Sequence, residues 1–449
     1  MVNTFVPALQ SLKREELTGE YVSLDIGSSN FRVLYSRLRP KKAADVDGKD
    51  DDHFEVKYYD IPVEYRKGSS SRLFNFLAQC ITSFLDEVLP PPSPETTNTT
   101  PSSTSSPILP LGFTFSFPMT QQAINSGRLT TWTKNFDLPD AVNADPALLL
   151  QTALDATGNA HSVRVVALLN DSTGTLLKGS YLDGDCAIGL IMGTGSNACY
   201  LERMDQIKKW TNHSAQYAHL EEVLVNMECG AFGDNECIDF VRTKYDRQLD
   251  QASLFPKSFT FEKYLGGQFL GETLRLILLD LVEHRLLLGG LATEQLRTVN
   301  SIKTSAISEI EAEGREESLR ATAGLLQSLG YRSPSAADLA TVQWATARVS
   351  IRVASLLAAV VATLVRRMKR PRTVVAVDGS VYKRHPKMRL LMADFIDELL
   401  LPPTATDGNG QLSSSSSFPR QRVELIGAED GSGKGAGIAA ALASKLQLY

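Results

Sequence analysis

Cysteine is scarce and scattered in this chain. The five residues, Cys80, Cys186, Cys199, Cys229 and Cys237, form no CxxC pair and share no metal-type spacing with histidine. That argues against a disulfide-stapled secreted fold and against a zinc module, and it points to free thiols in a reducing compartment, the cytoplasm. Long apolar runs are also missing. The longest, 353–365, is interrupted by Ser355 and Thr363 and falls short of the roughly 20 residues a bilayer crossing needs, so it is expected to be a buried helix rather than a transmembrane segment. The opening MVNTFVPALQSLKREE lacks the apolar core of a signal peptide. Neither sign of charge is in excess: Lys and Arg number 46 against 51 Asp and Glu, a net charge of −5, so nucleic acid and acidic membrane are not expected partners. No repeat of fixed period is present, and the P-loop pattern GxxxxGK[ST] does not occur.

What the chain does have is length and an ordinary globular composition. Its 449 residues, 43% of them hydrophobic and 22% charged, allow two or more domains with ample core. Strands are expected at 20–34, 54–63, 163–169, 186–192, 374–377 and 423–426. Helical spacing marks 71–88, 261–288, 338–367 and 435–448. This alternation reads as α/β, with Gly-rich turns after strands, where ligands of such folds sit. The charged stretch 41–53 and the Pro/Ser/Thr-rich stretches 90–107 and 404–416 have too little apolar surface to fold and are expected to be surface insertions.

Three Gly-rich turns could bring backbone N–H groups to a phosphate. In LDIGSSNFRV, Gly27 makes a tight turn, Ser28, Ser29 and Asn30 supply donors, and Asp25 could hold Mg²⁺ through water. Alone this segment is equally an ordinary hairpin. IMGTGSNACY places Gly193, Thr194 and Gly195 after a strand, again open to a hairpin reading. AEDGSGKGAG precedes the last helix, with Ser432 and Lys434 where a helix N-terminus would face an anion. Asp171, in LLNDSTGT, follows an apolar strand. It is a candidate general base, and alternatively an N-cap or Asx turn.

In order, these segments, with LGFTFSFP, WTKNF and NMECGAFGDN, resemble the hexokinase family of sugar kinases from about Val2 to the C-terminus. The resemblance implies a two-domain actin-like, ribonuclease H-like fold with a central cleft. A small domain would span 10–170, with the C-terminal helix 435–449 packing back on it, and a large domain would span 171–430. It implies ATP and Mg²⁺ as cofactors and phosphorylation of a hexose at its 6-hydroxyl, at the entry to glycolysis. Ser116, Thr133, Lys134, Asn170, Asp171, Asn197, Asn226, Glu228 and Glu262 match the sugar contacts, with Asp171 as base and Lys134 neutralising the transferred phosphoryl group. Asp25, Gly27, Ser28, Ser29, Asn30, Arg32, Gly193, Thr194, Gly195, Ser432 and Lys434 fall on the nucleotide side, and so does Asp378-Gly379-Ser380.

The chain departs from the family at several positions. Ser28 stands where a glycine is usual, Cys229 where a tryptophan is usual, and Phe259 near the sugar in place of a polar residue. These departures open two alternatives: an N-acetylglucosamine kinase, and a catalytically impaired, sugar-binding regulator. The helices that usually precede the first phosphate turn are not found, so an atypical or N-terminally truncated member is expected, with low solubility or a partner covering the exposed face. An actin-like ATPase without a sugar site would not need Thr133, Lys134, Asn226 and Glu228. No oligomeric state follows from these patterns.

Overall fold

The computed structural model describes residues 2–7, 17–27, 30–39, 52–89, 108–133, 135–158, 161–207, 221–314, 319–401, 405–406, 412–413 and 421–447. The expected insertion 90–107 and three of the expected site residues, Ser28, Ser29 and Lys134, lie outside them; so does most of 41–53 and of 404–416. The chain divides into two compact units. Unit one is Met1–Gly189, Cys199–Met227 and Ala428–Tyr449; unit two is Leu190–Ala198 and Glu228–Gly427.

Unit one is built on a five-stranded sheet. From one edge its strands run His53–Asp60, Asn30–Leu38, Gly19–Ile26, Leu109–Phe115 and Val163–Leu169. The first three are antiparallel neighbours, and the last two continue in parallel from Gly19–Ile26. The stretch expected as one strand, 20–34, is therefore two, folded back at Gly27, whose N–H donates to the carbonyl of Asn30 at 2.9 Å. The central strands are apolar along their length because both faces are covered. One face packs Leu24, Ile26, Phe113 and Phe115 against Leu73, Phe74, Leu77, Ile81 and Phe84 of the helix Ser70–Val88. The other packs Val166, Ala167 and Leu169 against Leu177 of the helix Asp171–Leu182 and the alanine-rich face of the last helix, Gly431–Lys445.

That last helix has few large side chains, so it is held by closeness. A Cβ on Gly435 would lie 1.9 Å from the Gly174 carbonyl oxygen, and one on Gly112 would lie 1.9 Å from that of Ala436. Helix meets helix and strand with their backbones almost touching, where no side chain fits.

In unit two, Arg372–Asp378 pairs in parallel with Arg422–Gly427, register Val375↔Leu425. The dominant element is the helix Ala336–Met368, started by a capping box of Ser335 and Asp338. By length and composition it could cross a membrane. It extends well beyond the apolar run 353–365 because alanine and threonine continue the pattern. Its buried residues Val342, Ala345, Val349, Val353, Leu357, Val361 and Val365 recur at helical spacing, and Arg352 midway pairs with Asp246 at 2.9 Å, as suits a core helix. The single helix expected over 261–288 is two, Thr260–Leu265 and Gly267–Glu283, broken at an extended Gly266 (φ −66°, ψ 134°). The second starts by giving the N–H groups of Gly267 and Gln268 to the carbonyls of Gly193 and Thr194 (2.8 and 3.0 Å).

Candidate active site

In unit one the first phosphate turn and the start of the last helix come together. Asp25 and Arg32 face each other across the hairpin, and Arg32 donates to Asp25 Oδ2 from Nε and Nη2 (3.0 and 2.7 Å). Its Nη1 reaches Asp430 Oδ1 at 2.6 Å, and the Ser432 hydroxyl donates to the same Asp25 oxygen at 2.7 Å. Four residues from opposite ends of the chain thus form one charged cluster beside the turn of Gly27 and Asn30. Thr114 Oγ1 donates to the Ser432 carbonyl at 2.9 Å and anchors the helix start to the adjacent strand. Lys434 lies one turn further on, with its ammonium 5.1 Å from the ring centre of Phe54.

The proposed base lies at another helix start in the same unit. Asn170 caps the helix Asp171–Leu182, its Oδ1 accepting from the N–H and hydroxyl of Ser172 (3.0 and 2.9 Å). Asp171, half-buried in the first turn, accepts from the Ser172 N–H at 2.8 Å, at the end of the helix that favours negative charge. The N-cap that the sequence offered for Asp171 is therefore its neighbour Asn170, and Asp171 is the first residue of the helix. The Cys199 thiol donates to the Ser172 carbonyl at 3.0 Å, and Cys199 pairs across the strands with buried Asn226. Burial pushes the Cys199 thiol above its ordinary value, so it acts as a packing group. Ser116 is buried beyond the strand Leu109–Phe115, and Thr133 follows Trp132, which meets Phe117 edge-on and stacks on Phe136.

Unit two holds the second set. The turn Gly193-Thr194-Gly195 closes with a bond from the Gly193 N–H to the Gly195 carbonyl (3.0 Å) and leaves Thr194 exposed. Gly379, at φ 121°, lies against it; a Cβ there would come 2.3 Å from the Met192 carbonyl oxygen. The Asp378 carboxylate accepts from the Gly379 N–H and pairs with Lys383, both at 2.7 Å. On the far side of the turn Glu262 Oε2 accepts from the Ser196 N–H at 3.2 Å. Asn197 Oδ1 accepts from the N–H groups of Ala198 (2.8 Å) and Cys229 (3.4 Å), which orients its amide. Glu228 is left-handed (φ 48°, ψ 47°) ahead of the short 3₁₀ turn Cys229–Ala231. Burial pushes the Cys229 thiol up to about 12, so the residue replacing the usual tryptophan is an inert apolar wall.

Each unit therefore gathers a phosphate-type turn and a set of buried or half-buried polar side chains suited to a polyhydroxylated ligand. The Hexokinase family profiles match residues 1–181 and 187–442. The chain belongs to the hexokinase family. Among curated relatives, Hexokinase-1 of Pongo abelii is 35% identical over 435 residues, 96% of this chain and 42% of the relative. Hexokinase-2 of Homo sapiens is 33% identical over 434 residues, 95% of this chain and 42% of the relative. The chain thus spans about two fifths of the length of the curated relatives it matches. A solved hexokinase from Schistosoma mansoni complexed with glucose is 32% identical, with a TM-score of 0.79, covering 98% of this chain and 88% of that one. The α/β fold is accordingly that of the hexokinase sugar kinases.

Two groups beside these residues escaped sequence reasoning. Asp430 lies within AEDGSGKGAG next to Ser432, yet only folding brings it to Arg32 across 398 positions of chain. Asp234 lies within NMECGAFGDN, where the sequence points to Asn226, Glu228 and Cys229 but not to it.

Proposed function

We propose that this hexokinase-family chain transfers the γ-phosphoryl group of ATP to the 6-hydroxyl of a glucose-like hexose. The observation that carries the reading is Asp171: a carboxylate fixed at a helix start beside its cap Asn170, on a strand-to-helix junction. A sugar hydroxyl is a poor nucleophile until its proton is taken, and a positioned carboxylate contributes about 10²–10⁴-fold. By the family resemblance, Ser116, Asn170, Asn197, Asn226, Glu228 and Glu262 would bind the ring hydroxyls. Such buried polar groups reject sugars that leave them unpaired.

The nucleotide phosphates would meet the turns of Gly27 and Gly193–Gly195 and the start of the last helix at Ser432. Among the described residues no group of three or more His, Cys, Asp and Glu could hold a metal. Mg²⁺ would arrive on the nucleotide with most of its water and would neutralise charge on the phosphates. Asp25, whose Oδ2 accepts from Arg32 and Ser432, is the residue that would reach it through water. In this reading the small domain is 10–170 with the last helix, and the large domain is 171–430. The free thiols of all five cysteines fit a cytoplasmic address.

The test is sugar-dependent ADP release by Asp171→Ala beside the wild-type protein. Turnover should fall about 10²–10⁴-fold, while glucose still raises the melting temperature of the variant. Undiminished turnover in Asp171→Ala would remove the base from the mechanism.

A further inference from the structure

The segment that carries Glu262 begins against its own conformational preference. Phe259, the residue before the helix Thr260–Leu265, is left-handed at φ 56°, ψ 42°, and Lys257 two positions earlier is left-handed at φ 61°. Neither is glycine, so both conformations are strained and persist only because the surroundings impose them. In each case the N–H of the left-handed residue is taken by an aspartate. Asp250 accepts from the Lys257 N–H at 3.0 Å. Asp234 accepts from the Phe259 N–H at 3.1 Å through Oδ2 and from the Thr260 N–H at 2.8 Å through Oδ1.

The two carboxylates are not equivalent. Asp250 is buried and also pairs with Lys263 and Arg242, so it belongs to the core of unit two. Asp234 is exposed and binds the helix start alone. It sits in a turn of fixed geometry. Gly233 before it is at φ 90°, where a Cβ would come 2.2 Å from Ile238, and the Asp234 N–H donates to Ala231 at 3.3 Å. That turn begins at Glu228. One short loop therefore presents Glu228, a sugar-contact candidate, at its start and, six residues on, the side chain that fixes the helix start beneath the other, Glu262, which in turn grips the Ser196 N–H after the Gly193–Gly195 turn.

We infer that Asp234 is a positioning residue for sugar binding: it holds Glu262 in place by capping the left-handed entry to that helix, and so couples the placement of Glu228 and Glu262. This rests on the sugar-kinase reading above. Replacing Asp234 leaves the core ion pairs of Asp250 intact, so the full chain should fold.

The experiment combines two readouts on full-length Asp234→Ala and Asp234→Asn. Amide hydrogen exchange of residues 257–266, measured without sugar, should speed up about tenfold in Asp234→Ala, the loss of a helix cap. Glucose KM should rise by about the same factor, with kcat at saturating glucose and the KM for Mg-ATP nearly unchanged, because the loss is in ground-state placement of a sugar ligand. Asp234→Asn keeps one acceptor oxygen and should fall between. Unchanged exchange, or faster exchange with an unchanged glucose KM, overturns the inference. If the wild-type chain turns over no hexose while the exchange effect is present, the sugar-kinase reading is what has failed, and the positioning role for sugar fails with it. A fall in kcat at saturating glucose and Mg-ATP, with the glucose KM unchanged, would mark a general structural role and would also overturn it.

Discussion

The segments Gly193–Gly195 and Gly431–Gly437 read alike in the sequence, as short Gly-rich stretches next to a strand or helix, yet their glycines serve different ends. In the last helix they are packing glycines. Gly435 meets the backbone of Gly174, Gly433 meets Leu34 and Arg32, and Gly437 meets Ser23. The ligand-facing candidates there are Ser432 and its charged neighbours. In the turn Gly193–Gly195 the first glycine has only ordinary contact (3.6 Å to Gly379), while the third makes room for the Glu262 carboxylate, 2.3 Å from where its Cβ would be. A glycine pattern alone therefore does not separate a phosphate cradle from a helix contact. What separates them is whether the nearest atom is backbone, a movable side chain, or nothing close.

That difference sets a ladder of effects for substitution by alanine. Gly435→Ala should be the most damaging, because its Cβ would lie 1.9 Å from a backbone oxygen and neither helix can give way. A stability loss of about 3 kcal/mol or more in urea unfolding is expected. A near-neutral result would mean that the two helices are not in backbone contact. Gly195→Ala comes next. Its nearest neighbour is the end of the Glu262 side chain, which can turn away and lose its bond to the Ser196 N–H. Stability should change by no more than about 1 kcal/mol, while glucose affinity falls about tenfold through the displaced carboxylate. A large stability loss with unaltered sugar binding would show that this glycine also is there for packing. Gly193→Ala should be mildest, within about 0.5 kcal/mol in stability, with any effect confined to the KM for Mg-ATP.

Much of unit one was legible because its central strands are buried on both faces and its helix Ser70–Val88 repeats Leu73, Leu77, Ile81 and Phe84 at helical spacing. The family order of motifs was legible for the same reason that it is chemical: each motif carries a named polar group after a strand. The break at Gly266 was not, since the apolar periodicity runs through it. What stops the helix is the Gly193–Gly195 turn, far away in sequence, which takes the N–H groups of Gly267 and Gln268. The charged cluster of Arg32 was half legible. Asp25 and Arg32 lie in one hairpin, while Asp430 is supplied by the far end of the chain. The left-handed Phe259 gave no signal either, because aromatic residues rarely adopt that conformation and only Asp234 and the packing around it impose it.

The most direct measurement of the central claim is the product ratio. The purified chain would be given Mg-ATP with glucose, fructose, mannose or N-acetylglucosamine, and ADP and sugar phosphate would be quantified together. The account predicts one 6-phosphorylated hexose per ADP, with little ADP formed when sugar is left out. ADP release that does not depend on sugar, or no turnover with any of the four, would contradict it.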